Sequence, residues 1–522
     1  MRSLEKQRII KNIGSSWFAL GMNILVGVFL SPFILHRLGD SAFGIWVLIF
    51  SITGYYGLFD LGIRSSVVRY VSKFLAVGSK EDLAKLINTT LFSYTCIGIS
   101  SLVVTGVLCS YVDMLFRIPP EFHTTARLLL LMVGTSVALG FPLGVVGGFL
   151  EGLQRFDIMN WTNLTSSLLR AFLIVMALQR GRGLLTVAFI TVVLPLIASV
   201  IRGGIALHIC PVAFGWKYVE KSTFRLMVNY SSATFMIMVA GRLKFKTDEI
   251  VIGSMVSAAG VTYFTIGGRI VDYASGVVNS LAQTFLPMIS QSEAKGDISR
   301  LRKVFVAGNR LCAFTTFPIV AILLILGKSV IEVWVGKKYV ATSYPVLVIL
   351  LIPCAIMWAQ AGSGRVLFGM SKHRTWAVVT LIEAIANVIL SVVLVRPYGI
   401  VGDAFGTAIP LMCSMILFMP RHLCRILGIR LGNYLREAFV LPLLITAPLV
   451  LVLLLMQRWF IPHTYRQLAI QLLISGAVYG LGLLWVFASK RALQVGELTP
   501  QENFAPIENG TGTPQEAYQQ DV

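Results

Sequence analysis

Between Gly241 and Glu249 the chain reads GRLKFKTDE, which sets Arg242, Lys244, Lys246, Asp248 and Glu249 inside an apolar run that begins near Leu226 and continues past Ile252. Two chemistries are open to such a group. Guanidinium and ammonium groups make charge-assisted hydrogen bonds to phosphate or carboxylate, and carboxylates at membrane depth take up a proton or a cation. A charge at the centre of a lipid-facing helix costs roughly 2.5–3.5 kcal/mol, so these residues belong in a bundle interior or a watery cavity. On one helix, Arg242, Lys246 and Glu249 share a face at i, i+4, i+7, and Lys244 lies one turn before Asp248. The other arrangement is a charged loop between spans Phe224–Gly241 and Ile250 onward.

Further charges sit in apolar surroundings. Asp60 precedes Arg64 by one turn in LFDLGIRSSVVRY, and Arg269 and Asp272 are spaced i, i+3. Arg170, Arg202, Arg365, Glu383 and Asp403 also fall within or beside apolar runs. Any of these pairs can equally be a structural salt bridge holding helices together. Arg170 and Glu383 have no local partner, so each needs one from another helix or from a substrate.

The elements that position these groups follow from composition. The 522 residues are 56% hydrophobic and 13% charged, with a mean hydropathy of +0.78, which makes the chain a polytopic membrane protein. Apolar runs of about twenty residues mean helices rather than barrel strands, so the fold class is all-α. The net charge of +20 is spread in short clusters between apolar runs and not on one soluble face, which argues against nucleic acid. The seven cysteines show no CxxC spacing and the six histidines no HExxH, so neither disulfide nor metal site is expected.

Apolar windows place fourteen spans at about 13–35, 42–61, 87–111, 124–150, 159–179, 184–208, 226–254, 261–288, 304–327, 342–368, 375–395, 399–420, 438–457 and 467–488. Alternate loops carry the basic residues, among them Lys73, Lys80, Lys85, Lys217, Lys221, Lys295, Arg300, Lys372, Arg421 and Lys490. By the positive-inside rule both termini are then cytoplasmic. An offset of about 217 residues relates FLAVGSKEDLAKLINTTLFS from Phe74 to MISQSEAKGDISRLRKVFVAGN from Met288, and FLEGLQRF to VLFGMSKH. The expected organisation is a six-helix lobe over 1–222, a second over 223–432, two accessory spans over 433–490 and a disordered cytoplasmic tail over 491–522. On this offset Arg242–Glu249 overlies the apolar VGVFLSPF of span one, which favours a place inside span seven.

The stretches RLGDSAFGIW from Arg37, LFDLGIRSSVVRY from Leu58, FLEGLQRF, and TDEIVIG from Thr247 resemble the polysaccharide transporter branch, of the O-antigen flippase type, of the multidrug/oligosaccharidyl-lipid/polysaccharide exporter superfamily. The resemblance implies two lobes around a central cationic cavity. It also implies translocation of a polyprenyl-pyrophosphate-linked oligosaccharide from the cytoplasmic to the outer leaflet of a bacterial inner membrane, beside other glycan-assembly membrane proteins, with no cofactor and no enzymatic activity. On that expectation Arg242, Lys244, Lys246, Arg64 and Arg269 are candidates for the pyrophosphate, and Tyr55, Tyr56 and Tyr263 for sugars. No Walker sequence is present, so proton or sodium coupling is expected, with Asp60, Asp248, Glu249, Asp272 and Glu383 as candidate carriers. The alternatives are a lipid II flippase or a cation-coupled multidrug exporter of the same superfamily. A glycan polymerase or ligase would need a long extracytoplasmic loop with catalytic residues, and the loops here are short.

Overall fold

The computed structural model describes residues 2–285, 289, 292, 297–370 and 374–489. The expected tail over 491–522, the greater part of 288–296 at the start of the amphipathic stretch from Met288, and Lys295, Lys372 and Lys490 lie outside the described residues. The chain is all-α, with no strand among the described residues.

The helices in order are α1 (Arg2–Leu38), α2 (Asp40–Gly54), α3 (Ile63–Val77), α4 (Lys80–Leu115), α5 (His123–Gly152), α6 (Phe156–Gln179), α7 (Leu184–Ile209), α8 (Lys221–Lys246), α9 (Asp248–Met255), α10 (Ala258–Gln283), α11 (Ile298–Val335), α12 (Val340–Ala359), α13 (Ala361–Gly369), α14 (Arg374–Cys413), α15 (Met419–Leu427), α16 (Leu431–Leu435), α17 (Leu441–Trp459) and α18 (Tyr465–Ala488). Eleven stretches among the described residues are long and apolar enough to cross a membrane. One of them, Thr375–Leu427, contains a break at Gly399 (φ 57°). Counting it twice and adding α8–α9 and α10 agrees with the fourteen spans expected. The charges of α8 and α10 are what keep those helices out of the apolar set.

Starts are set by local chemistry. Ser79 accepts from Asp82 N and donates to its Oδ2, Ser257 accepts from Gly260 N, and Asp297 accepts from Arg300 N, each satisfying an orphan amide of α4, α10 or α11. At Gly399 the chain folds back so that the second half of α14 lies against the first. A Cβ on Gly406 would stand 2.5 Å from Ser391 Cα, and one on Gly402 2.0 Å from Leu394 O. Small residues one turn apart allow this backbone approach, as they do where membrane helices cross.

Four pairings organise the site: α2 lies along α10, α1 along α6, and both α8 and α9 along α14. Large apolar side chains on α4, α6, α7, α14, α17 and α18 stay exposed, among them Val103, Phe172, Val200, Ile382, Leu444 and Leu473, as lipid-facing surfaces require. The α17–α18 pair docks on α11 through Leu326, Leu449 and Leu453, and Tyr479 OH donates to Phe314 O at 2.5 Å.

Candidate functional site

The GRLKFKTDE stretch is neither one continuous helix nor a loop. α8 runs to Lys246, breaks at Thr247, and α9 resumes at Asp248. Thr247 Oγ1 donates to Leu243 O (2.6 Å), and Tyr55 OH reaches both Arg242 O (3.3 Å) and Thr247 Oγ1 (2.5 Å). These contacts satisfy carbonyls that the break would otherwise leave bare. Lys246 and Glu249, on either side of the break, nevertheless keep to one face.

Lys246 and Glu249 face inward, 3.8 Å apart, with Lys246 40% exposed and Glu249 12%. They form part of a wall common to two adjoining chambers of about 390 Å³ each, together with Thr265, Arg269 and Asp272 of α10. The first chamber adds Asn23, Ser31, Trp46, Phe50, Arg170 and Thr191; the second adds Asp248, Ser275, Asn279, Trp358 and Thr407. Glu249 Oε2, Thr265 Oγ1 and Arg269 Nε are buried without a hydrogen-bond partner among the described residues. Arg170 has no acidic partner among the described residues, and Arg269 and Asp272 do not pair with each other. Three bases and two acids thus line the first chamber, and two bases and three acids the second, within an apolar bundle. A multivalent anion is the ligand class that satisfies such bases, because each guanidinium offers a fork of donors to phosphate oxygens.

Of the five pyrophosphate candidates, Lys246 and Arg269 come together here and the other three do not. Lys244 is buried (3% exposed) and paired with the buried Glu383 of α14, so the partner Glu383 needed comes from another helix. Arg242 lies outside the chamber walls, with Nη2 3.2 Å from where a Cβ on Gly57 would stand. Arg64 bonds Glu151 of α5 at 2.5 Å. It does not close an i, i+4 pair with Asp60, because the chain turns through Leu61 (φ 50°) and Gly62 (φ 76°) between them. Asp60 instead accepts from Tyr94 OH and from the Arg64 backbone amide.

Among the ion-coupling candidates, Glu249 and Asp272 line both chambers and Asp248 the second. Asp248 Oδ1 accepts from Thr407 Oγ1 (3.0 Å), which also accepts from Asn387 Nδ2 (2.9 Å). Asp403 is fully buried on α14, where neither carboxylate oxygen has a hydrogen-bond partner among the described residues. No grouping of three or more His, Cys, Asp or Glu with metal-site geometry occurs among the described residues.

The three tyrosines expected to meet sugar lie elsewhere. Tyr55 braces the helix break, Tyr56 is buried against Thr105 Oγ1 (3.0 Å), and Tyr263 bonds Asp40. That last contact belongs to a closed end of the bundle. Asp40 accepts from Tyr263 OH (3.1 Å), Lys338 Nζ (3.0 Å) and Tyr339 OH (2.5 Å), while Thr262 Oγ1 donates to Asp40 O (2.7 Å). Beside it Arg117 N donates to Gly253 O (2.9 Å) and Ala258 N to Arg117 O (3.3 Å). All of these join the first half of the chain to the second.

Sequence reasoning missed the chamber aromatics Trp46 and Phe50, because in FGIWVLIFS they look like any apolar span. Their signal was the face they share with Phe43, Val47 and Ser51 at helical spacing. Arg170 stood out as unpartnered, and the structure sets it on the chamber wall.

A family model described as "Polysaccharide biosynthesis protein" matches residues 6–293, more than half of the chain. The chain is 21% identical over 451 residues to "Uncharacterized membrane protein EpsK" of Bacillus subtilis, covering 81% of this chain and 85% of that one. It is 20% identical over 428 residues to "Putative O-antigen transporter" of Shigella flexneri, covering 78% and 96%. Among solved structures it is similar in fold to "Lipid II flippase MurJ, inward closed conformation", with a TM-score of 0.72 at 16% identity, covering 92% of this chain and 99% of that one.

Proposed function

The chain belongs to the polysaccharide biosynthesis protein family, and from that membership and the cavity we propose that it is a flippase for a polyprenyl-pyrophosphate-linked oligosaccharide. The observation that carries this reading is the first chamber, which Arg170, Lys246 and Arg269 line together and where Arg170 has no acidic partner among the described residues. A lipid headgroup bearing pyrophosphate and sugars cannot cross hydrocarbon bare, since its charges and hydroxyls would lose their water. Bases on both halves of the bundle replace that water at the phosphates while the prenyl tail stays in lipid.

The halves, 1–222 and 223–432, then act as lobes that rock about this space, with 433–490 as an accessory pair. The positive-inside distribution sets both termini in the cytoplasm, so the Asp40 end faces outward and its contacts hold that side shut. The membrane is a bacterial inner membrane, where glycan-assembly proteins would supply and take over the cargo. With Glu383 held by Lys244 and Asp60 by Tyr94, proton or sodium coupling narrows to Asp248, Glu249 and Asp272, joined by Asp403. Moving one charge through 100 mV supplies about 2.3 kcal/mol. The chain is a transporter and not an enzyme.

A lipid II flippase is the second reading, favoured by the fold similarity over nearly the whole of a lipid II flippase; the pyrophosphate chemistry is the same. The first chamber, with three bases to two acids, argues against a carrier of cationic drugs. In the test, the gene is deleted and lipid-linked oligosaccharide is assayed by leaflet, then complemented with Lys246→Gln plus Arg269→Gln. Cytoplasmic accumulation with loss of surface glycan, unrelieved by the double variant, is expected. Accumulation of a peptidoglycan precursor would select the second reading. Normal glycan with raised drug sensitivity would refute both, and full rescue by the double variant would refute the cavity assignment.

A further inference from the structure

We propose that the α2 face of the first chamber is a carbohydrate platform, on which Trp46 and Phe50 stack against the sugar joined to the pyrophosphate; this rests on the flippase reading. The two rings are one helical turn apart and stacked, with centroids 5.1 Å apart and planes inclined at 27°. Both are half-buried and line the chamber with Phe43, Val47 and Ser51 of the same face.

The lining distinguishes a sugar from other occupants. A phosphate alone needs bases and has no use for two aromatic rings. A prenyl chain needs apolar surface and would leave Arg170, Lys246, Glu249, Arg269 and Asp272 facing hydrocarbon, at a cost in lost solvation. A pyranose presents a C–H face to aromatic rings and hydroxyls at its rim, and this chamber offers both kinds of surface. The second chamber does not offer the same face: its Trp358 is buried to 1% exposure, and Asp248 lies in its wall.

Arg170 sets the register. It lines the chamber from α6, whereas Lys246 and Arg269 stand in the wall shared with the second chamber. A pyrophosphate held by all three places its first sugar in the chamber where the Trp46 and Phe50 rings stand. The platform reads ring shape and not a particular hydroxyl pattern, so it selects for a glycosylated headgroup without dictating which glycan follows.

The test is equilibrium binding to the full chain in nanodiscs, with polyprenyl pyrophosphate and polyprenyl-pyrophosphate-linked N-acetylhexosamine as the two probes. Wild type should bind the sugar-bearing lipid about tenfold more tightly than the bare one, the scale expected of one stacked ring. Trp46→Leu should bind both at the bare level, Trp46→Phe should restore most of the preference, and Arg170→Gln should weaken both probes alike. Should Trp46→Leu not fold, as judged by its melting temperature, Phe50→Leu removes the other ring and reads the same preference. Equal binding of the two probes by wild type, or a preference that survives loss of the ring, would overturn the platform. Wild type binding neither probe would instead overturn the flippase reading beneath it.

Discussion

Gly44 on α2 faces Ala258 at the start of α10 so closely that a Cβ there would lie 1.8 Å from the Ala258 carbonyl oxygen and 3.0 Å from Thr262 Oγ1. Ordinary carbon to oxygen contact is about 3.2–3.5 Å, so Gly44→Ala requires α2 and α10 to separate by about 1.5 Å. The obstacle is backbone, so no rotamer change relieves it. Overpacking of this kind costs about 1–3 kcal/mol. If the lobes part at this end as proposed, the clash exists only in the closed state, so the cost falls there and shifts the population toward the open one by about 5- to 150-fold. Hydrogen exchange reads the shift directly, because Arg117 N–H donates to Gly253 O and Ala258 N–H to Arg117 O across the closed end. In the EX2 regime, exchange at these amides should accelerate by the same factor, while amides in the middle of α5 and α11 keep their wild-type rates. Gly106→Ala, where a Cβ meets nothing within 4 Å, should leave every rate unchanged. Wild-type exchange at Arg117 and Ala258 in a folded Gly44→Ala protein would refute the claim that this contact closes the bundle.

Two further outcomes follow from pairing and packing. Lys244→Met should lower stability by about 3–5 kcal/mol, because it strands the buried Glu383, and Lys244→Met with Glu383→Gln should recover most of the loss in thermal unfolding; a double variant no more stable than the single one would show that the pair is not the cause. Gly406→Val sets a branched side chain against the Ser391 backbone in the α14 hairpin, and should destabilise by more than about 3 kcal/mol and lower the yield of folded protein in membranes; a normal melting temperature would mean that the two halves of α14 do not meet there.

Much was legible in the residue order alone. Hydropathy determined an all-α membrane protein and the placing of its spans, because a helix in lipid must satisfy its own backbone and its apolar length is a local property. The cost of burying charge determined that Arg170, Lys246, Glu249, Arg269 and Asp272 face an interior, and four short motifs pointed to the family. Tertiary structure alone decided which charges meet. Lys244 and Lys246 are two residues apart, yet one is paired with Glu383 on a helix more than a hundred residues away and the other faces a cavity. Asp60 and Arg64 have the spacing of an ion pair, yet a left-handed turn at Leu61 and Gly62 sends them to Tyr94 and Glu151. The aromatic floor of the first chamber was hidden for a related reason. In a membrane protein a tryptophan facing lipid, core or cavity is written in the same apolar code, and only the packing of α2 against α10 settles which of the three it faces.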